Sequence, residues 1–374
     1  MPRPARHRFR RKRRPERAPM QDTGQDQVTV VEQEPGHKRE SGLVRMKRAV
    51  AAYLERTPPT KTIEIASVGE SGSAGKTTTV VTWAAMLAQC GFEVEIVDLD
   101  GQGNASKHLG IGVSPYPEDK LLDIRANYPA PLVIGDALLR REALFPGEDN
   151  PRVITLNDIR RCAHNEHSIP GYGVRSDDPD AIEWLKRVHV YPNGPSYVSG
   201  KEIDFYKDEA ELARNPVGGL VLGRQMETVT TAPHFRFYDL HGTKSIAMIS
   251  ALIRLKRVFN CVQLDDKTTG NDLDHLKQIT LGDVREYNPD IELMMILACR
   301  VKPESQRGNH GRQMLARLRQ RHGDLVPDVE IREAVTVQEA YTNREPLPMW
   351  VADSLVADDY RHSVAWAFER GVFS

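Results

Sequence analysis

A lysine and two threonines, Lys76-Thr77-Thr78, end the Gly/Ser-rich run Ser67-Val-Gly-Glu-Ser-Gly-Ser-Ala-Gly75. These residue types at this spacing suit phosphate binding. Glycines let backbone N–H groups turn inward toward an anion, and a helix opening behind them adds unpaired N–H groups and a positive dipole end. Such a cradle would use Gly72, Ser73, Ala74, Gly75, Lys76, Thr77 and Thr78, with Lys76 on the outer phosphates and the Thr77 hydroxyl on Mg²⁺. The usual pattern has a further glycine five residues before Gly75, where this chain has Glu70. A loop that merely caps a helix would use many of the same residues.

Carboxylates supply the second half of the chemistry. Glu93-Val-Glu-Ile-Val-Asp98-Leu-Asp100 reads as a strand ending in two acids, followed by Gly101-Gln-Gly-Asn-Ala-Ser. Phe235-Arg-Phe-Tyr-Asp239 is another apolar run ending in an acid. Asp98 and Asp239 are candidates for a Mg²⁺ shell, and Asp100 would sit near the phosphates and the ion. Asp and Gly are also common at ordinary strand-end turns.

The elements that must position these groups follow from the flanking patterns. Thr62–Ala66 is β-favouring and Thr79–Gln89 helix-like, so the glycine run joins a strand to a helix. With Glu93–Asp100 this makes a right-handed βαβ unit, which sets Asp98 and Asp100 beside the first turn. Val258–Leu264 and Ile291–Cys299 are apolar runs of the kind found in buried parallel strands, with helices expected over Ser245–Leu255 and Leu273–Glu286. The alternation predicts an α/β fold, a doubly wound and mostly parallel sheet with helices on both faces and the ligand at the carboxyl ends of its strands.

At these residues the chain resembles a known family. Residues 71–78, Ser-Gly-Ser-Ala-Gly-Lys-Thr-Thr, resemble the deviant Walker A motif of ParA-type partition ATPases, Lys-Gly-Gly-x-Gly-Lys-Thr-Thr. Residues 96–104, Ile-Val-Asp-Leu-Asp-Gly-Gln-Gly-Asn, resemble that family's Walker A′ segment, Asp-x-Asp-Pro-Gln-Gly-Asn. The likeness extends, more weakly, to about residue 348. It implies a P-loop NTPase using ATP and Mg²⁺, catalytic roles for Lys76 and Asp100, and an ATP-dependent homodimer. It also implies nonspecific duplex DNA binding, a ParB-like centromere-binding partner, and a cytoplasmic, nucleoid-associated protein of plasmid or chromosome partition. Asp239 falls at the Walker B position, and Gly242 in the switch segment whose backbone N–H senses the γ-phosphate. The chain departs from the family at Ser71, where the signature lysine would reach across the dimer, at Gly101 in place of proline, and at His241-Gly242 in place of Pro-Pro. Lys244 is a possible basic substitute for the missing lysine.

The whole composition frames this reading. The chain has 374 residues and a formal net charge of −1, yet residues 1–17 carry nine Arg or Lys against one Glu. Residues 1–40 read as a disordered basic arm, since they hold too little apolar surface to offset chain entropy. Arg10, Arg11, Arg13 and Arg14 would contact DNA phosphates; a solvated tail is the plainer alternative. A second basic run spans Arg300 to His322, with Arg312 and Arg319 as DNA candidates on the helix predicted over Gly311–His322; a solvated helix face would look similar. Four scattered cysteines suit a reducing cytoplasm. No apolar run approaches a membrane span, so no membrane role is expected.

The remaining divisions are a helix over 41–58, the ATPase domain over 59–352 with a polar insertion at about 145–185, and a C-terminal helix over 353–374. That tail lacks the basic face of a membrane-binding helix and is expected to pack on the domain. Cys162, His164 and His167 have metal-ligand types, but their spacing matches no zinc pattern. Two other functions fit the same residues: a non-hydrolysing, nucleotide-gated DNA-binding adaptor, and a MinD-like positioning ATPase or biosynthetic relative without a DNA role.

Overall fold

The computed structural model describes residues 40–56, 61–69, 74–111, 132–166, 171–198, 202–242, 244–265, 269–270 and 273–374. The chain divides into Met1–Arg39, which lies outside the described residues, and Glu40–Ser374.

Among the described residues seven strands form one sheet, in the order β5-β6-β2-β7-β1-β8-β9. They are β1 (Ile63–Val68), β2 (Val94–Leu99), β5 (Arg161–Cys162), β6 (Val188–Tyr191), β7 (Phe235–Leu240), β8 (Arg257–Val262) and β9 (Glu292–Ala298). All pairings are parallel except that of β5 with β6. Every residue of β2 and β7 is buried, as expected for central parallel strands covered on both faces.

Alternation along the strands feeds two separate cores. Ile65, Ile96, Phe237 and Phe259 join one; Ala66, Val97, Tyr238 and Val258 join the other. The first core is closed by α1 (Gly42–Arg56), α2 (Lys76–Gln89) and the terminal helix Leu355–Glu369. The second is closed by the helices Ile134–Leu138, Val221–Glu227, Ile246–Leu252 and Glu304–His322, among others. The fold is therefore doubly wound, with helices on both faces of a mostly parallel sheet.

The terminal helix is nearly engulfed. Trp83 of α2 stacks near Phe259, with centroids 4.7 Å apart, and its Nε1 donates to Ser363 Oγ at 2.8 Å. Residues 359–373 thus pack against the helix that follows the glycine run. Stretch 145–185 is more ordered than a polar loop. It contains β4 (Arg152–Val153), which pairs with β3 (Glu142–Ala143), and β5, which extends the main sheet. Cys162 Sγ faces the Leu185 and Lys186 carbonyls at 3.9 and 3.8 Å; His167 lies outside the described residues, among which no group of three or more metal-ligating side chains occurs. No described helix is long and apolar enough to cross a membrane.

Candidate nucleotide site

The glycine run leaves β1 at its carboxyl end, between β7 and β8. Gly69 adopts φ +137°, and a Cβ there would sit 2.5 Å from Asn260 Oδ1, so no other residue fits this exit. Gly75 is left-handed at φ 94° and caps α2 without a side chain. The first helical bond runs from Thr79 N–H to the Gly75 carbonyl at 2.9 Å. The N–H groups of Lys76, Thr77 and Thr78 precede it, at the positive end of the helix. Lys76 is buried, and its Nζ donates to the Gly69 carbonyl at 2.9 Å, across the base of the loop. Ala74 is buried beside it; Gly72, Ser73, Glu70 and Ser71 lie outside the described residues.

Strand register brings the carboxylates together. Asp98 is opposite Asp239 in the β2–β7 pairing, and Ser67 is opposite Asp239 in the β1–β7 pairing. Ser67 Oγ donates to Asp239 Oδ1 at 3.0 Å. Asp239 Oδ2 is buried without a hydrogen-bond partner among the described residues. Asp98 Oδ2 accepts from Ser106 N and Oγ at 2.9 and 2.6 Å, and its Oδ1 from the Asp100 N–H at 3.2 Å. Burial pushes both carboxyls up, Asp98 further because the Asp239 charge adds to it; the Thr77 hydroxyl favours the ionised form of Asp239. Two carboxylates driven together without a cation are costly, and an orphaned oxygen beside Thr77 suits one. The donor set, a hydroxyl and carboxylate oxygens, suits Mg²⁺.

Asp100 begins the next turn. Its Oδ1 accepts from Gln102 N–H at 2.9 Å and its carbonyl from Gly103 N–H at 2.8 Å. A Cβ at Gly101 would press on Phe205 at 3.2 Å, and Gln102 Nε2 donates to Tyr206 Oη at 3.2 Å. The helix Phe205–Arg214 therefore packs against this turn. Gly242 follows β7, and Tyr206 lies edge-on to His241, with centroids 6.0 Å apart. Lys244 is engaged elsewhere, with Nζ 2.6 Å from Asp283.

The basic residues separate. Arg10, Arg11, Arg13 and Arg14 lie outside the described residues. Arg312 and Arg319 lie on the helix Glu304–His322, which is interrupted at Gly308. Arg319 bonds Glu330, Arg307 sits 3.4 Å from the same acid, and Arg321 pairs with Asp274 at 2.8 Å. Arg312 reaches the Glu304 carbonyl of its own helix at 3.4 Å. Acids distant in sequence thus partner a run that has few of its own. Arg332 forks onto Asp359 at 2.6 and 2.8 Å.

Sequence reasoning did not single out Ser106, although it holds Asp98 from eight residues away and its hydroxyl also accepts from Asn193 N–H at 3.1 Å. Its signal was the Gly-Asn-Ala-Ser turn after Asp100. The contact of the helix Phe205–Arg214 with the Asp100 turn leaves no mark in local pattern.

Comparison with known proteins places this geometry. An uncharacterized protein of Mycobacterium tuberculosis, MT1749, is 24% identical over 318 residues, 85% of this chain and 82% of that protein. The chromosome-partitioning ATPase Soj of Thermus thermophilus is 49% identical over only 51 residues, 14% of this chain and 20% of Soj. The cobyrinic acid a,c-diamide synthase of Mycobacterium smegmatis, solved with an ATP analog and magnesium, shares the fold at TM-score 0.51 and 21% identity, covering 76% of this chain and 91% of that one. Residues 65–347 match the CobQ/CobB/MinD/ParA nucleotide binding domain, and the chain belongs to that family of P-loop NTPases.

Proposed function

We propose that the chain binds ATP at the carboxyl ends of β1, β2 and β7, hydrolyses it slowly, and uses the cycle to gate nonspecific binding to duplex DNA in plasmid or chromosome partition. The observation that carries the nucleotide part is the meeting of the buried Asp98–Asp239 pair with the open N-terminus of α2. The partition part rests on the likeness to Soj and on the basic arm.

In this reading the N–H groups of Gly75 to Thr78 and the Lys76 ammonium hold the phosphates. Lys76 would exchange the Gly69 carbonyl for phosphate oxygen, a stronger charge-assisted bond. Thr77, Asp98 and Asp239 would hold Mg²⁺, which would supply positive charge to neutralise the phosphates. Asp100, held by its own turn, would orient or deprotonate the attacking water. Gly242 would offer its N–H to the γ-phosphate. Arg10, Arg11, Arg13, Arg14, Arg312 and Arg319 would contact DNA, Arg319 by giving up Glu330. A homodimer, a ParB-like stimulating partner and a cytoplasmic, nucleoid-associated location complete the proposal.

Ser71 favours a second reading, a nucleotide-gated DNA clamp without hydrolysis, because the family's lysine would supply positive charge where transition-state charge develops. ATP turnover with and without duplex DNA, beside Lys76→Ala and Asp100→Ala, tests both. Turnover lost in both variants supports the ATPase. No turnover in the parent, with ATP-dependent DNA binding lost in Lys76→Ala, supports the clamp. Absence of DNA binding even at low salt contradicts both and favours a biosynthetic or MinD-like role.

A further inference from the structure

The helix Phe205–Arg214 touches the segments that follow both β2 and β7. Phe205 lies 3.2 Å from where a Gly101 Cβ would sit, and Tyr206 Oη accepts from Gln102 Nε2 at 3.2 Å. The Tyr206 ring meets His241 edge-on, with centroids 6.0 Å apart. The same helix packs on Ile246–Leu252, the helix that begins just after the β7 exit. It is anchored from another side by Asp208, which is buried and bound to Arg141 Nη2 at 2.6 Å; Arg141 Nη1 reaches the buried Asp136 at 3.0 Å. A fixed helix thus stands between two strand-end segments.

Glu209 lies one helical turn beyond Phe205 and Tyr206 and shares their face. Opposite it, Ser245 caps the helix Ile246–Leu252, its Oγ accepting from the Met248 N–H at 3.2 Å. A hydroxyl has one proton, and Ser245 directs its own to Glu209. The Ala247 N–H, which has no partner within its own helix, turns to the same carboxylate. Burial raises the Glu209 pKa and the Asp100 charge adds to it; the Ser245 hydroxyl, the His241 charge and the Ala247 N–H act the other way. Glu209 therefore responds to both segments at once.

Capping does not account for the whole carboxylate. Its Oε1 is buried and has no hydrogen-bond partner among the described residues. A carboxylate that served only as a cap would leave its spare oxygen in water, where it costs nothing. The buried oxygen is an acceptor waiting for a donor, and the neighbouring donor whose charge already favours the ionised form is His241.

We propose that Glu209 is a positioning residue of the candidate nucleotide site: it caps the helix Ile246–Leu252 and, in the ATP-bound state, accepts the His241 imidazole N–H at Oε1, so that the Asp100 turn and the segment after β7 become ordered together. This rests on the nucleotide reading of the site. Phe205 and Tyr206 hold the helix to the Asp100 turn, and Glu209 carries the connection across to His241.

Hydrogen exchange of the full chain, with and without ATP and Mg²⁺, tests it, with ATP affinity measured by calorimetry on the same samples. In the parent, ATP should slow exchange in the helix Ile246–Leu252 by about tenfold or more. Glu209→Gln keeps a carbonyl oxygen for Ser245 and Ala247, so its exchange without ATP should match the parent. The slowing by ATP should be lost in that variant while ATP affinity stays within about threefold, and His241→Ala should behave in the same way. Slowing that persists in Glu209→Gln overturns the proposal, as does ATP binding by the parent without slowing. Exchange raised in Glu209→Gln by equal factors with and without ATP would make Glu209 a cap only and also overturn it. A folded parent that binds no ATP overturns the nucleotide reading itself, and this proposal with it.

Discussion

Ser106 shows how one hydroxyl governs the candidate site. It donates to the buried Asp98 and accepts from the Asn193 N–H, so two strand-end loops meet on a single atom. Ser106→Ala would strip Asp98 of its shortest hydrogen bond and leave a buried N–H unpaired. The expected cost is about 1–3 kcal/mol, read as a lower urea midpoint at unchanged slope; an unchanged midpoint would remove Ser106 from this role. At this scale the sequence was legible where a residue type has few uses. Gly75, Lys76 and Thr77 in a row, and acids at strand ends, mark where β1, β2 and β7 come together at their carboxyl ends. Ser106 was not legible, since serine in a turn has many uses and its partner is decided by the fold. The acidic partners of the basic run were hidden for the same reason, because Glu330 and Asp274 reach Arg319 and Arg321 only through tertiary packing.

At the scale of elements, the short helix α3 (Asn104–His108) links the Asp100 turn to the helix Val335–Asn343. His108 is fully buried there, 5.4 Å from the Tyr341 ring between centroids, and burial pushes its pKa down to about 4. An unfolded histidine titrates near 6.5. The folded state therefore favours neutral His108. This stability is fully present above pH 6.5 and is lost as pH falls toward 4, by as much as about 3 kcal/mol. His189 and His322 are depressed in the same direction. Thermal melting should drop steeply between pH 6.5 and 4.5 and less steeply in His108→Leu; parallel curves would exclude His108 as a source. The strands β1, β2, β7, β8 and β9 were legible because buried parallel strands are rich in apolar and β-branched residues. The two-residue strand β5 was not, because a polar stretch that pairs at a sheet edge has no hydrophobic signature.

At the scale of the whole molecule, a near-neutral chain concentrates nine of its basic residues in its first 17 positions. If that arm contacts DNA, each phosphate it neutralises releases counterions and steepens the salt dependence of binding. Deleting residues 1–17 should lower the slope of log affinity against log salt; an equal slope would rule the arm out. The burial of the terminal helix under α1 and α2 ties the far end of the chain to the helix that opens the glycine loop. Its amphipathic pattern told that it packs, but not on what.

The central claim is that Lys76, the α2 N-terminus and the Asp98–Asp239 pair form one nucleotide site. Its most direct measurement is calorimetric titration of the full chain with ATP, with and without Mg²⁺, in parent and Lys76→Ala. The account predicts saturable binding that Mg²⁺ strengthens, with affinity falling by about two orders of magnitude in Lys76→Ala, on the scale of a lost charge-assisted contact. Equal binding in parent and variant, or no binding by a folded parent, would contradict it.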